Sequence, residues 1–465
     1  MPKARDCSLQ LCYSESGVQG ASRPRKGPSP PAWFSRQLGL HELPYRPTQA
    51  DSGQHTRRLV TPNRKLPVRP DLDQLKHQAK DLLRAIRRGD PSAISDLHSY
   101  HPEQIAPAIA KLADAQLVLA CRLIDAIWRD DVNAAREIVL KHPQLLHEDA
   151  TIRKSHWGPP MSYAANLGRD AIIAMLYDLG AKDLASALNR AALQSQIGTA
   201  RRLHQMMGAP RPSAAALVDP AYTLSVSGTA LMLELGSPVR DETGKPLAPV
   251  AVVLQTDGRN PSAKHQILEM YVQHGLDLPD TPVMALHRGR IDLIEEHLRR
   301  DSGLLRRTFT REEIYPPEWG CRDDVETQGT PLAGTTLLHI CVDYDEIEIA
   351  RWLLDRGMDV DAKAAVRADG FGGHTALFGA VVSYANFWGN YRGKLEDAPF
   401  ARLLLDRGAN PNALASFRKQ INFGEDSTMH EYRDLTPLSW GERFPNKTLV
   451  SAPAMQMIAE RGGHT

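Results

Sequence analysis

No stretch of this chain approaches the roughly 18 consecutive apolar residues that a membrane-spanning helix needs, so no membrane span is expected. The opening MPKARDCSLQLCYSESG has no apolar core of the kind that directs secretion. Cysteine is scarce: the five, Cys7, Cys12, Cys121, Cys321 and Cys341, are too scattered for a disulfide framework and fit a reducing compartment, the cytoplasm. Neither charge sign is in excess, with Lys plus Arg at 56 and Asp plus Glu at 55 in 465 residues, so the overall charge selects no partner. Catalytic signatures are missing too. There is no GxSxG and no HExxH. Gly244-Lys245 is followed by Pro246 and lacks the upstream glycine of a phosphate loop. His41-Glu42 runs into Leu-Pro-Tyr, and Cys7 and Cys12 have no matching ligands, so neither forms a zinc site. No enzyme activity, metal or cofactor is expected.

What the chain does have is a recurring helical pair. In GTTLLHICVDYDEIEIARWLLDRGMDVDAK, Gly334 to Lys363, Leu337, Leu338, Cys341 and Val342 form one apolar face at helical spacing. Ile347, Ile349, Ala350, Leu353 and Leu354 form a second, and Gly357 stands where a helix must end. Two helices this short cannot bury both faces alone and need neighbours of the same shape. The neighbours are present. GGHTALFGAVV leads to FARLLLDRGANPNA; LTPLSWGERF leads to MQMIAERGG; WGPPMSYAANLGRDAIIAMLYDLGAKD has the two halves with no gap.

This pattern resembles the ankyrin repeat, G-x-T-P-L-H-x-A-A followed by I-V-x-x-L-L-x-x-G-A-x-x-N/D-A. Gly334, Thr336, Leu338, His339, Leu353, Leu354, Gly357 and Asp361 match it, as do Gly373, Thr375, Leu377, Ala380, Leu403, Leu404, Gly408, Ala409 and Asn412. The resemblance implies an all-α solenoid of stacked helical pairs with short β-turn connections. The expected organisation is a disordered basic tail over 1–66 and a solenoid over 67–465. Within it, 67–120 reads as an N-terminal cap, 121–307 as degenerate repeats, 308–333 as a long connection and 334–465 as the best-matching repeats, about eight or nine pairs in all. In RLIDAIWRDDVNAAREIVLKHPQLL, Asp130 takes the place of the usual turn glycine, and Asp90-Pro91 begins a helix. Gly180, Gly208 and Gly236 are 28 residues apart, short of the ~33 of a full repeat, so these repeats are expected to lack a β-hairpin.

The tail is rich in Pro, Ser, Gly and Arg, and carries eleven Lys or Arg against four Asp or Glu. Such a segment buries too little apolar surface to offset its ordering entropy. The rest of the chain is mildly acidic, which leaves nucleic acid or an acidic membrane surface to the tail alone.

Three repeats carry extra residues between their helices, near Thr256, near Tyr384 and near Phe444. Stacking predicts that the last two lie side by side as a ridge. The resemblance implies a non-catalytic scaffold that binds another protein, with no small-molecule substrate. Its contacts would come from the turn tips, the inner helices and these loops. By position the tips are Asp369, Phe371, His374, Tyr432, Arg433 and Asp434. The inner-helix residues are Asp343, Tyr344, Val382, Ser383, Arg443 and Phe444, and the aromatic loop adds Tyr384, Phe387, Trp388 and Tyr391. His339 and Cys341 resemble a base and a thiol, but they occupy the repeat's structural His and small core positions. Two other readings stay open: an adaptor anchored to nucleic acid or membrane by the basic tail, and an enzyme built on Glu312, Glu313, Glu318, Asp323 and Asp324 in the 308–333 connection.

Overall fold

The computed structural model describes residues 72–101, 105–147, 158–321, 329–392, 395–420 and 429–465. The tail at 1–66, and Asp323 and Asp324, lie outside them. The described chain divides into two compact units, one carrying 72–164 and 169–183, the other 165–168 and 184–465.

The first unit opens with the helices Leu72–Arg87 and Pro91–Tyr100. Ile86, Ala93, Leu97, Ala110 and Val118 pack into its core, and Leu82 and Leu83 lean on them. Pro91 sits in the first turn of the second helix, and the Asp90 carboxylate accepts from the Ala93 amide at 2.9 Å, so the expected helix start is there. The pair Leu112–Trp128 and Val132–Lys141 follows, then Pro160–Asn166 and Asp170–Asp178.

In the second unit the pairs run Leu184–Leu193 with Ile197–Met206, Val218–Tyr222 with Val226–Glu234, and Val250–Gln255 with Pro261–Gln273. They continue as Pro282–His287 with Ile291–Arg300, Leu337–Asp343 with Ile347–Asp355, Ala376–Val381 with Pro399–Asp406, and Pro437–Arg443 with Ala452–Glu460. The described residues therefore hold ten helical pairs, more than the eight or nine expected. The excess lies in the degenerate middle, where Val218–Tyr222 and Val250–Gln255 are too short to show a helical period in sequence.

Each tight pair is reversed by one left-handed residue between its helices: Asp130 (φ 60°), Gly168 (68°), Ser195 (59°), Leu224 (54°), Gly289 (68°) and Asp345 (61°). The next amide then reaches back five residues, as from Asp131 to Ala126 O, Gln196 to Ala191 O, Ser225 to Pro220 O and Glu346 to Cys341 O, at 2.8–2.9 Å. Asp130 thus does take the glycine's place. A second reversal, at a glycine, ends seven of the ten pairs: Gly180, Gly208, Gly236, Gly275, Gly357, Gly408 and Gly462 all have positive φ, whereas the helices ending at Tyr100, Lys141 and Arg300 run into His101, His142 and Asp301 with negative φ. At Gly357 (φ 90°) and Gly408 (φ 87°) a Cβ would touch nothing within 4 Å, so the constraint is purely one of backbone conformation. Gly357→Val and Gly408→Val should each lower stability by more than ~1 kcal/mol in urea unfolding, since a β-branched side chain is strained at this φ. Unchanged midpoints would remove the capping argument.

Short connections follow Gly180 and Gly208, without strands, as their spacing predicted. Later connections lengthen. The 308–333 connection starts with Phe309 bridged to Thr335, then a turn of helix at Arg311–Ile314, capped reciprocally by Thr310 and Glu313. The last connection is a hairpin that the sequence reading missed: β1 (Ala415–Gln420) pairs antiparallel with β2 (Met429–Leu435).

Candidate protein-binding surface

The side chains expected to meet a partner are mostly interior. Asp343, Tyr344, Phe371, His374, Ser383, Tyr384, Phe387 and Phe444 are buried, and Val382 with them. Arg443 is exposed, as are Asp369, Arg433 and Asp434 at the tips; Tyr432 is half-buried. The side chains of Trp388 and Tyr391 lie outside the described residues. The reading of the eight buried residues as contact surface is therefore corrected, and the physical reason differs between the two ends of the repeat.

At the inner-helix end, a strap covers them. Val250–Gln255 and Pro261–Gln273 are joined not by a tight turn but by 256–260, and Arg259 on this loop passes beyond the next repeat to the one after it. Its Nε donates to the Asp343 carbonyl at 2.7 Å and Nη2 to the Asp343 carboxylate at 2.8 Å, while Nη1 donates to the Thr256 carbonyl at 2.6 Å. The guanidinium lies 4.5 Å from the Tyr344 ring centroid and 4.8 Å from that of Tyr384. The side chains of Arg259 and Asp343 are each only 4% exposed. Burial opposes the charge on Arg259, but Asp343 and the neighbouring phenols outweigh it and hold the group firmly protonated. The Tyr344 hydroxyl donates to the Leu254 carbonyl at 2.6 Å, a second link between the same two repeats.

Beside this pair, Lys264 Nζ lies 2.9 Å from the Glu346 carboxylate and His265 Nε2 2.7 Å from the same oxygen. Burial works against the Glu346 charge, yet the Lys264 cation and His265 keep its carboxyl below the usual range. Lys264 Nζ also stands 4.4 Å from the Tyr344 ring centroid. No sequence signal marks Arg259 in its loop or Lys264 in the first turn of Pro261–Gln273: their partners lie about eighty positions away, and isolated basic residues normally face water.

The two later long loops do lie together. The aromatic one is largely a helix, Tyr384–Arg392, packed on the turn Lys447–Leu449. Asn386 Nδ2 donates to the carbonyls of Val381 (3.1 Å) and Leu449 (3.2 Å), and Asn390 Nδ2 to those of Thr448 (3.1 Å) and Val450 (2.8 Å). Tyr384 and Phe387 are the buried underside of this helix, anchoring it instead of forming a ridge.

At the finger end the core is aromatic and imidazole. Thr336 Oγ1 donates to His339 Nδ1 (2.9 Å), and His339 Nε2 donates to the His374 carbonyl (3.0 Å); His374 Nε2 donates to the Pro331 carbonyl (2.9 Å). Burial pushes His339 down to about 4 and His374 to about 3, so both imidazoles are neutral. Phe378, Phe417, Trp440 and Phe444 continue the stack, with Phe417 and Trp440 centroids 4.5 Å apart. Cys341 is fully buried and its thiol is pushed well above its ordinary value by burial. Tyr315 and Tyr344 are raised for the same reason, so none of these groups is a ready nucleophile. In the 308–333 connection, Glu313 is committed to capping Thr310 and pairing with Arg307.

Outside this core, two successive fingers form one edge. The first, 364–374, is closed by Ala364 N to His374 O (2.8 Å) and Arg367 N to Phe371 O (2.9 Å). Gly372 and Ser416 then exchange amide bonds at 2.7 and 3.2 Å, joining it to β1. Phe371 lies beneath two guanidinium groups, Arg418 at 4.4 Å and Arg433 at 4.3 Å from its ring centroid. Arg418 also spans Asp369 (3.0 Å) and Glu431 (2.6 Å). Val366 (63%), Leu414 (55%) and Met429 (55%) stay exposed on these same fingers. In β1, Phe417 and Lys419 are buried and Arg418 between them is half-buried, but Ser416 is buried too and Lys419 is charged, so the sequence shows no apolar alternation there.

A tandem array of helical pairs linked by short fingers defines a helical solenoid. A family model for the ankyrin repeat matches residues 333–365, the stretch holding the Thr336–His339 hydrogen bond, the Asp345 reversal and the Gly357 cap. Residues 333–365 are therefore an ankyrin repeat. Among solved structures, the human ASB11 ankyrin repeat domain is similar to it at 13% identity, with 74% of this chain and 98% of that one covered and a TM-score of 0.21, too low to carry any inference. No curated protein sequence matches the chain. Ankyrin repeats are protein–protein interaction modules, and the fold is typically non-enzymatic. Among the described residues no helix is long and apolar enough to cross a membrane.

Proposed function

We propose that this protein is a non-catalytic scaffold that binds another protein along the edge made by the finger 364–374 and the β1–β2 hairpin. One observation carries the reading. The inner-helix residues that would otherwise make contact are buried, while Val366, Leu414 and Met429 stand exposed beside Arg367 and Arg433 on consecutive fingers. Isolated exposed apolar residues are ordinary, but three on two consecutive fingers, with arginine nearby in sequence, support a binding surface there. On this reading 67–465 is the binding body, the 1–66 tail is dispensable for its fold, and the compartment is the cytoplasm, in keeping with the few, scattered cysteines. Nucleic acid is not its ligand, except through the tail.

The test compares wild type with a Val366→Ser/Leu414→Ser variant in quantitative pull-downs followed by mass spectrometry. The variant should lose about tenfold or more of the protein enriched by wild type, with an unchanged melting temperature because both sites are exposed. An identical set of bound proteins at equal yield would sink the finger-edge reading. Arg443→Ala, exposed at the far end of its helix, serves as the control that should change nothing.

A further inference from the structure

Among the described residues, the outer edge of the hairpin strand β2 carries no partner strand. The sheet at the fingers grows in sequence order: 371–374 lies against β1 through Gly372 and Ser416, and β1 lies against β2. A following finger would add antiparallel to β2, and among the described residues no strand does so. An uncovered edge strand presents a row of backbone donors and acceptors that templates another strand.

The sequence of β2 names the strand that fits. Met429-His430-Glu431-Tyr432-Arg433-Asp434-Leu435 is antisymmetric in charge about Tyr432: Glu431 mirrors Arg433, and His430 mirrors Asp434. Two copies of one strand, paired antiparallel about a twofold axis through Tyr432, set Glu431 of each copy opposite Arg433 of the other. Opposite charges facing each other across a strand pair are favourable and like charges unfavourable. A twofold contact of this kind is self-complementary by construction. Glu431 and Arg433 are exposed, on the face of β2 away from Trp440, which packs against Tyr432. The left-handed φ of Asp434 (50°) ends the extended run, so the pairing is short and centred on these two residues.

We infer that β2 is a homodimerisation strand: a second copy of this chain adds antiparallel to its outer edge, with reciprocal Glu431–Arg433 pairs across the twofold. The inference concerns self-association, whereas the finger-edge reading concerns another protein; the two share Arg433, so Glu431, which the finger-edge reading does not use, tells them apart.

The experiment is sedimentation or light scattering of the full chain as a function of concentration, at low and high salt. Wild type should dimerise reversibly. Glu431→Arg and Arg433→Glu each place like charges across the axis and should each weaken the dimer by about tenfold. Mixing the two variants should restore it, because the all-basic strand of one then faces the all-acidic strand of the other. The exchanged double variant Glu431→Arg/Arg433→Glu should also dimerise. Circular dichroism checks that each variant is folded, and the restoring mixture excludes simple misfolding. A wild type that stays monomeric at all concentrations overturns the inference. So does a dimer indifferent to both single variants, or a mixture that fails to restore it.

Discussion

Asp343→Ala is expected to lower the unfolding free energy by about 3–5 kcal/mol, among the largest effects of any single polar substitution in the chain. The cause is what it leaves behind. Arg259 would keep its charge inside the protein, between Tyr344 and Tyr384, after losing the Asp343 carboxylate bonded to it. Removing both charges should be milder: Arg259→Met/Asp343→Leu keeps the volume and leaves no buried charge, only the Thr256 and Asp343 carbonyls without their donor, so its effect should be smaller than that of Asp343→Ala. Urea unfolding of the two variants separates the cases. If Asp343→Ala unfolds at the wild-type midpoint, Arg259 and Asp343 are not a closed pair in solution.

The second large effect is with acid. His339 and His374 titrate in the unfolded chain near their ordinary 6.5, but in the fold burial moves them to about 4 and about 3. Their contribution to stability is therefore complete above pH 6.5 and is lost as pH falls, because the unfolded chain takes up protons that the folded one refuses. Two such groups give a slope of about 2.7 kcal/mol per pH unit, or roughly 5 kcal/mol between pH 6.5 and 4.5. Asp257 and Asp345 act in the opposite sense. Burial raises each to about 6, so their contribution grows as pH falls through that value. The imidazole effect is thus read as a difference. The gap in unfolding free energy between wild type and His339→Gln/His374→Gln should shrink steadily on going from pH 7 to pH 4.5, since the glutamines keep a donor but carry no titrating group. Parallel pH curves would show that the two rings are not shielded from water.

The repeat architecture was legible because it is written locally. Gly357 and Gly408 mark helix ends by conformational freedom alone, and Leu353, Leu354, Leu404 and Leu405 mark buried faces by spacing. Even the substitution of Asp130 for a glycine could be placed from its position between two apolar periods. The surface was not legible, because exposure is a property of what lies on top of a residue. Tyr344 and Ser383 occupy positions that the family resemblance leaves outward, and groups placed from elsewhere in the sequence cover them: Arg259 and Lys264 lie over the Tyr344 ring, and the Leu449 carbonyl accepts from the Ser383 amide. The hairpin was missed for another reason: β1 and β2 are separated by residues without a two-residue turn signature, so no local pattern joined them.

The reach of Arg259 has a mechanical consequence. In a simple stack each repeat holds only its neighbours, and stretching or heating lets the array peel one repeat at a time. Here the loop after Val250–Gln255 grips the repeat of Leu337–Asp343, clasping Pro282–His287 between them. Those three repeats cannot part in sequence, because the outer two must separate before the middle one is free. Under tension the solenoid should behave as a rigid block around residues 250–355 with springier segments elsewhere.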